Sequence, residues 1–333
     1  MSKRIIAIIL ASVIVLGGIL MSAMTTVVSS LMSGDFNINK EATSTVLEEG
    51  DSNKKIAEIV VEGEIIDTGA SGGLFGGGTG YNHQAALKQL ETIKNDDSIK
   101  GVLLSVNSPG GGTYESDEFY QKIKEVKDSG KKIFVQMENL AASGGYYISA
   151  PADKIYAGPQ SLTGSIGVIS ESKDYSELLD NLGIKTNTIK SGAHKDILSS
   201  SRKMTDEERE ILQSINKDSF DQFVNVVKEG RQMSESKVRE LADGRIYSAQ
   251  QAKSNGLIDA IGYKDKTLKD LKKAIKVENP EIITFDPEES NLTSFLGMKS
   301  FINGLRAELK DVKSIINNES QTRPMYKYEA VGD

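Results

Sequence analysis

The sequence predicts an α/β domain over about residues 55–275, preceded by one transmembrane helix. Three observations carry this expectation. Strand-length apolar runs alternate with segments of helical period throughout that stretch. Two of the runs lead into clusters of small residues, Asn107-Ser-Pro-Gly-Gly-Gly112 and Ala141-Ala-Ser-Gly-Gly145, each followed by a helical pattern. Ahead of them, Lys3 and Arg4 precede an uncharged run from Ile5 to Gly34, rich in Ile, Leu, Val and Ala.

That run exceeds the roughly 20 apolar residues a helix needs to cross a bilayer. A cleaved leader has a shorter apolar core, roughly 7–15 residues, and then a small-x-small site. Met21-Ser-Ala23 lacks a small first residue, and Val28-Ser-Ser30 is a weaker match. Residues 1–34 therefore read as a single-pass cell-membrane anchor. The charges on its near side place the N-terminus in the cytoplasm and the rest of the chain outside it. Polar residues 35–54 follow as a linker.

Within the domain, Lys55–Val61 reads as a strand leading to the glycine-rich stretch Gly69–Gly80. A phosphate-cradling loop would end in Gly-Lys-Ser/Thr and open a helix; this one does neither and reads as a surface loop. Leu87, Leu90 and Ile93 mark one face of a helix over 83–95. The strand 101–106, a helix over 115–127 and the strand 132–137 lead to Ser143 and a helix after it. Further strands are expected at 153–157, 162–169 and 186–190, with a helix over 175–182. Polar helices fill 205–230 and 234–241, the first opened by Thr205 with Glu208 three residues on, a capping box. Residues 276–333 form an extension. Phe295, Met298, Phe301, Ile302, Leu305, Leu309, Val312 and Ile316 recur there at helical spacing, and Gln321–Asp333 is expected to be disordered.

Composition narrows the chemistry. A net charge of −7 without a basic stripe argues against a nucleic-acid partner. The absence of cysteine excludes disulfides, thiol catalysis and cysteine metal sites. No metal-ligand cluster stands out, and no cofactor is expected.

Ser143, set among small residues at a strand-to-helix turn, is the candidate nucleophile, because a substrate backbone can come close there. Its base must be drawn from few histidines, His83 and His194, or from lysine. His83 reads as a surface residue. A lysine base must lose its proton near neutral pH, which requires lowering its pKa from about 10.4 to about 7–8 by desolvation, roughly 3–5 kcal/mol. Ser165, in Thr163-Gly-Ser-Ile-Gly167, is suited to hold such a lysine by a hydrogen bond. The N–H groups of Gly144 and Gly110 are candidate oxyanion donors. Residue types alone leave Lys185, Lys190, Lys195 and Lys203 open as the base.

The chain resembles the signal peptide peptidase A family, membrane-anchored Ser/Lys peptidases of bacteria, in its short single-domain form. Val106-Asn-Ser-Pro-Gly-Gly-Gly112, Ala141-Ala-Ser-Gly-Gly-Tyr-Tyr-Ile148, Leu162-Thr-Gly-Ser-Ile-Gly-Val168, Lys190-Ser-Gly-Ala-His-Lys-Asp196 and Asp243-Gly-Arg-Ile-Tyr247 carry the likeness. The resemblance implies a crotonase- and caseinolytic-protease-like spiral of ββα units that assembles into homo-oligomeric rings, with catalytic groups crossing subunit boundaries. It implies Ser143 as nucleophile, Lys195 as base, Ser165 as the residue orienting the lysine, and Gly110 and Gly144 as the oxyanion hole. The substrates it implies are hydrophobic peptides, such as cleaved signal peptides. Two alternatives are an acyl-CoA enzyme of crotonase type, disfavoured by export, and an inactive ring-forming scaffold, disfavoured by the intact serine and lysine.

Overall fold

The structure, a computed structural model, describes residues 42, 44–67, 81–285 and 325–327. In chain order it contains β1 (Ser44–Glu48), β2 (Asp51–Glu62), α1 (His83–Asn95), β3 (Ile99–Ser108), β4 (Gly110–Gly112), α2 (Thr113–Asp128) and β5 (Lys132–Ala142). These are followed by α3 (Gly144–Ser149), β6 (Lys154–Ala157), β7 (Leu162–Gly164), α4 (Ser176–Asn181), α5 (Asp206–Arg231), α6 (Glu235–Leu241) and β8 (Ile246–Ser248). The remainder comprises α7 (Ala249–Ser254), β9 (Ala260–Ile261), α8 (Lys264–Ala274), β10 (Pro280–Phe285) and β11 (Met325–Lys327).

The main sheet runs β1-β10-β2-β3-β5-β6-β9, with β7 and β8 continuing from the end of β5. Its centre is parallel: β2, β3, β5 and β6 pair side by side in one direction. Central parallel strands are covered on both faces, which is why they read as unbroken apolar runs. The alternation inside each run sorts side chains between the two covers. Ile56, Leu103, Phe134 and Tyr156 meet Leu268 and Leu271 of α8 on one face. Ala57, Val102, Leu104 and Val135 join the larger core with Leu90 and Ile93 of α1 and Phe119 and Ile123 of α2 on the other. Fully burying each such side chain is worth about 1.5–3 kcal/mol, so this two-sided core holds the strand ends in place.

Helix starts follow local chemistry. The Asn82 side chain accepts the Ala85 N–H at 3.0 Å to open α1. Thr205 and Glu208 form the expected capping box at α5.

Four expectations need correction. Residues 44–48, read as linker, form β1, an antiparallel edge on β10. β10 itself lies in the extension beyond residue 275 and pairs parallel with β2. Both strands depend on partners more than 200 residues away in sequence, which no local pattern encodes. Residues 186–190 form no strand: the backbone from 184 to 190 is irregular and exposed, because no sheet edge is available to the run. Within the tail expected to be disordered, 325–327 are a strand against β4. The apolar run 5–34, the glycine-rich residues 69–80 and the amphipathic segment 295–316 lie outside the described residues. Among the described residues, no helix is long and apolar enough to cross a membrane.

Candidate active site

The candidate site forms where β3 and β5 end, the usual place for a crevice in a parallel sheet. β5 stops at Ala142, and Ser143 makes the turn into α3 with φ 53° and ψ −117°. A non-glycine residue held at positive φ costs on the order of 1–3 kcal/mol, and such strain concentrates at functional turns. Packing enforces the turn. The Ser143 N–H donates to the Gly164 carbonyl at 2.8 Å, and the Ser143 carbonyl accepts the Tyr147 N–H at 2.8 Å. Ser143 is buried, and its hydroxyl makes no hydrogen bond within the described chain.

Gly144 opens α3, so its N–H has no acceptor within the helix and faces outward from the helix N-terminus. Gly110 comes to the same place from the end of β3. Its φ of +101° suits glycine alone. A methyl group there would lie 2.6 Å from the Gly144 nitrogen and would collide with the Tyr326 carbonyl oxygen. The Gly110 N–H donates to the Ser108 hydroxyl at 3.1 Å. Behind them, Ser116 of α2 is fully buried, and its hydroxyl lacks a hydrogen-bond partner. A methyl on Gly144 would sit 2.6 Å from that hydroxyl, so glycine is required by contact as well.

Ser165 follows Gly164, the acceptor of the Ser143 N–H, and it too has positive φ, 48°. Its N–H donates to the Arg245 carbonyl at 2.8 Å. The parallel pairing of Ala142 with Gly164 therefore sets Ser143 and Ser165 at adjacent strand ends. Gly110, Ser143, Gly144 and Ser165 share one site.

The four lysines fall elsewhere. Lys185, Lys190, Lys195 and Lys203 are all exposed, on the excursion between β7 and α5. Lys190 is held by the Ala193 carbonyl at 2.7 Å and Asp196 at 2.6 Å, and Lys203 by Glu177 at 2.7 Å. Lys185 and Lys195 have no side-chain partner among the described residues. The single chain does not bring Lys195 onto Ser143. His194 sits 3.6 Å from Glu207, half-exposed. His83 is buried rather than on the surface, bonded to the Tyr81 hydroxyl at 2.6 Å and to Glu118 at 3.0 Å. Its neighbours are enough to make it a structural residue.

The loop carrying Lys195 is braced by Arg202, which bonds Asp196 at 2.7 Å and Glu208 at 2.8 Å. Arg202, helped by the Thr205 N–H, lowers the Glu208 carboxyl from its ordinary 4.5 to about 2. The same guanidinium and Lys190 hold Asp196 well below the usual carboxylate range. A carboxyl depressed in the folded state contributes stability that is present above its unfolded pKa and is lost as pH falls through the folded value. Arg202→Met should therefore lower the melting temperature at pH 7 and flatten its fall between pH 4.5 and 2, measured by circular dichroism.

The sequence reading missed β11. Its three residues run antiparallel to β4, with Met325 opposite Gly112, Tyr326 opposite Gly111 and Lys327 opposite Gly110. Met325 also exchanges both backbone hydrogen bonds with Ile169, at 3.0 and 3.1 Å. On the far side of β4, Ile65 bridges Gly111. A strand of this chain thus fills a slot beside the Ser143 turn, flanked by backbone on both edges. Three residues joined by long-range pairing leave no period to detect; Gly110-Gly-Gly112, which admits a close backbone, was the nearest signal.

Comparison with known proteins gives the class first, through relatives that carry protease names. A protein named "Putative signal peptide peptidase SppA" from Enterococcus faecium is 45% identical over 296 residues, 87% of this chain and 86% of that one. A putative protease of Methanocaldococcus jannaschii is 43% identical over 63% of this chain and 69% of its own length. Protease 4 of Salmonella typhi is 28% identical over 78% of this chain and 41% of that protein. Among solved structures, a ClpP1 mutant from Listeria monocytogenes is similar with a TM-score of 0.41 and 18% identity, over 64% of this chain and 94% of that one. Residues 125–278 match peptidase family S49. The chain belongs to that family and is a peptidase.

Proposed function

We propose that the protein is a serine endopeptidase with a Ser143/Lys195 dyad, acting on extended hydrophobic peptides such as cleaved signal peptides outside the cytoplasm. The observation that carries this reading is the strained, buried Ser143 beside a slot that already holds a peptide strand. In this mechanism the Ser143 hydroxyl attacks the scissile carbonyl while Lys195 removes its proton. The Gly144 and Gly110 N–H groups stabilise the oxyanion, the latter after releasing Ser108. Collapse of the tetrahedral intermediate gives an acyl-Ser143 ester and the amine product, protonated by the lysine. Water, deprotonated by the same lysine, then hydrolyses the ester. Ser165 orients the ammonium.

Lys195 is exposed in the single chain, so the dyad is completed by a neighbouring copy in a ring. The excursion that carries it supports this arrangement, because it leaves Ile169, Tyr175, Leu178, Leu182, Ile184 and Ile189 exposed for a second surface to cover. The architecture assigned to the domain is the ββα spiral, of which β3-β4-α2 is one unit. The N-terminal run would hold the cleft beside the bilayer where such peptides lie.

The test is a pH–rate profile of the full chain and of Lys195→Ala on a fluorogenic hydrophobic peptide. Activity should rise from neutral to alkaline pH and vanish in the variant. Mixing Ser143→Ala and Lys195→Ala chains should restore part of it, since each ring then pairs an intact serine with an intact lysine. Full activity in Lys195→Ala would move the base to Lys185 or His194.

A further inference from the structure

The excursion between β7 and α5 has no buried residue from Gly167 to Glu207, yet the backbone on both sides of Lys195 is tied down. Asp196, the next residue, receives a fork from Arg202: Nε donates to Oδ2 at 3.0 Å, and one terminal nitrogen to Oδ1 at 2.7 Å. The same nitrogen reaches the Asp196 carbonyl at 3.1 Å. The other terminal nitrogen donates to the Glu208 carboxylate at 2.8 Å. Glu208 is buried in the first turn of α5 and accepts the Thr205 N–H at 3.0 Å, so the clamp ends on a fixed point. On the other side, Lys190 donates to the Ala193 carbonyl at 2.7 Å and to Asp196 at 2.6 Å. The Lys195 N–H closes the turn on the Gly192 carbonyl at 3.2 Å. Ile189, a little earlier, stands in solvent. The bracing thus gathers around one residue, whose own ammonium has no partner among the described residues.

We infer that Arg202 is the positioning residue of the peptidase's base: through Asp196 it fixes the backbone at Lys195 against α5, so that a neighbouring copy meets the lysine at one height and in one direction. A lysine side chain is a flexible four-carbon stem, and a working base comes within about 2.6–3.2 Å of the hydroxyl it deprotonates. With the backbone beneath it loose as well, few arrangements would reach that distance. A misplacement of about 1 Å costs up to about 10²-fold in rate. The planar fork matters as much as the charge. Arg202 grips two carboxylates and a carbonyl at once, and a point-charged ammonium has no such fork. The arginine therefore serves the chain that donates the lysine, not the chain that donates Ser143. This inference rests on the Ser143/Lys195 reading.

The experiment measures kcat and KM of the full chain on a fluorogenic hydrophobic peptide, below the melting temperature of every variant. Arg202→Lys and Asp196→Asn should each lower kcat about 10–100-fold and leave KM within about twofold. Arg239→Met is the control, since Arg239 also bonds two surface carboxylates, Asp221 at 2.8 Å and Glu235 at 2.9 Å. It should lose stability and keep its kcat. Mixed rings give the decisive readout. Arg202→Met chains mixed with Ser143→Ala chains should recover part of the activity, because intact serines then meet clamped lysines. Mixed with Lys195→Ala chains they should recover none, since no chain then carries both the lysine and its clamp. Unchanged kcat in Arg202→Lys and Arg202→Met would overturn the positioning role. Recovery in both mixtures would overturn it too, as would activity lost only because sedimentation shows the rings dissociated. If Lys195→Ala is inactive while the Arg202 variants are normal, this inference fails alone; full activity in Lys195→Ala would sink the dyad and the inference together.

Discussion

Replacing Ser143 with glycine is expected to abolish peptidase activity while raising the melting temperature. The two effects have separate origins. Activity falls by about 10⁴-fold or more because the attacking oxygen is gone. Stability rises because serine is held at φ 53°, a conformation glycine adopts freely. Relief of that strain is worth about 1 kcal/mol, offset in part by the greater freedom of glycine in the unfolded chain. Ser143→Ala is the matched control: it should lose activity equally but gain no stability, since alanine meets the same backbone penalty. Calorimetry of the three proteins beside a peptide assay checks both effects. A destabilised Ser143→Gly would mean that the turn is not strained and that the argument for a functional serine loses its physical basis.

The second large effect is expected at Gly110. Alanine there must adopt φ +101°, and its methyl would press on the Gly144 nitrogen from 2.6 Å. The N–H of Gly144 would move off its aim, and the peptide strand opposite would be pushed out. Loss of one aligned oxyanion donor lowers turnover by about 10²–10³-fold, and a blocked slot adds a rise in KM. Gly130→Ala separates the causes. Its φ of +93° is similar, but a methyl there meets nothing within 4 Å, so it should cost stability through backbone strain and leave activity intact. If Gly110→Ala behaves like Gly130→Ala, the Gly110 N–H takes no part in the reaction.

What the sequence reveals and what it conceals follow the range of the interactions. β3 and β5 are legible because a buried parallel strand writes itself as a continuous apolar run, and their small-residue ends point to the site. Ser143, Gly144, Gly110 and Ser165 could be named because serines and glycines clustered after strand-like runs suit a nucleophile, its oxyanion donors and a group to hold the base. The structure then places all four at neighbouring strand ends. The edge strands β1 and β10 were not legible, since each takes its conformation from a neighbour far along the chain. Residues 186–190 show the converse: Thr-Asn-Thr-Ile-Lys has the composition of a strand, yet Ile189 stands fully in solvent because nothing pairs with it. Lys195 could be chosen only by resemblance. In the single chain Lys195 is one exposed lysine among several, and nothing local in the sequence sets it apart.

As the substrate groove of the proposed peptidase, the slot beside Ser143 would impose a rule of its own on what can be cut. Its occupant is gripped along both edges, by β4 on one side and Ile169 on the other. A polypeptide can satisfy that grip only if neither edge of its backbone is already engaged. Segments inside a helix or a sheet have spent those N–H and C=O groups on their own fold. Folded neighbours would thus be spared by conformation before any side chain is read, whereas a stray extended fragment has its backbone free. Proline opposite Gly111 would be refused for the same reason, having no N–H to give.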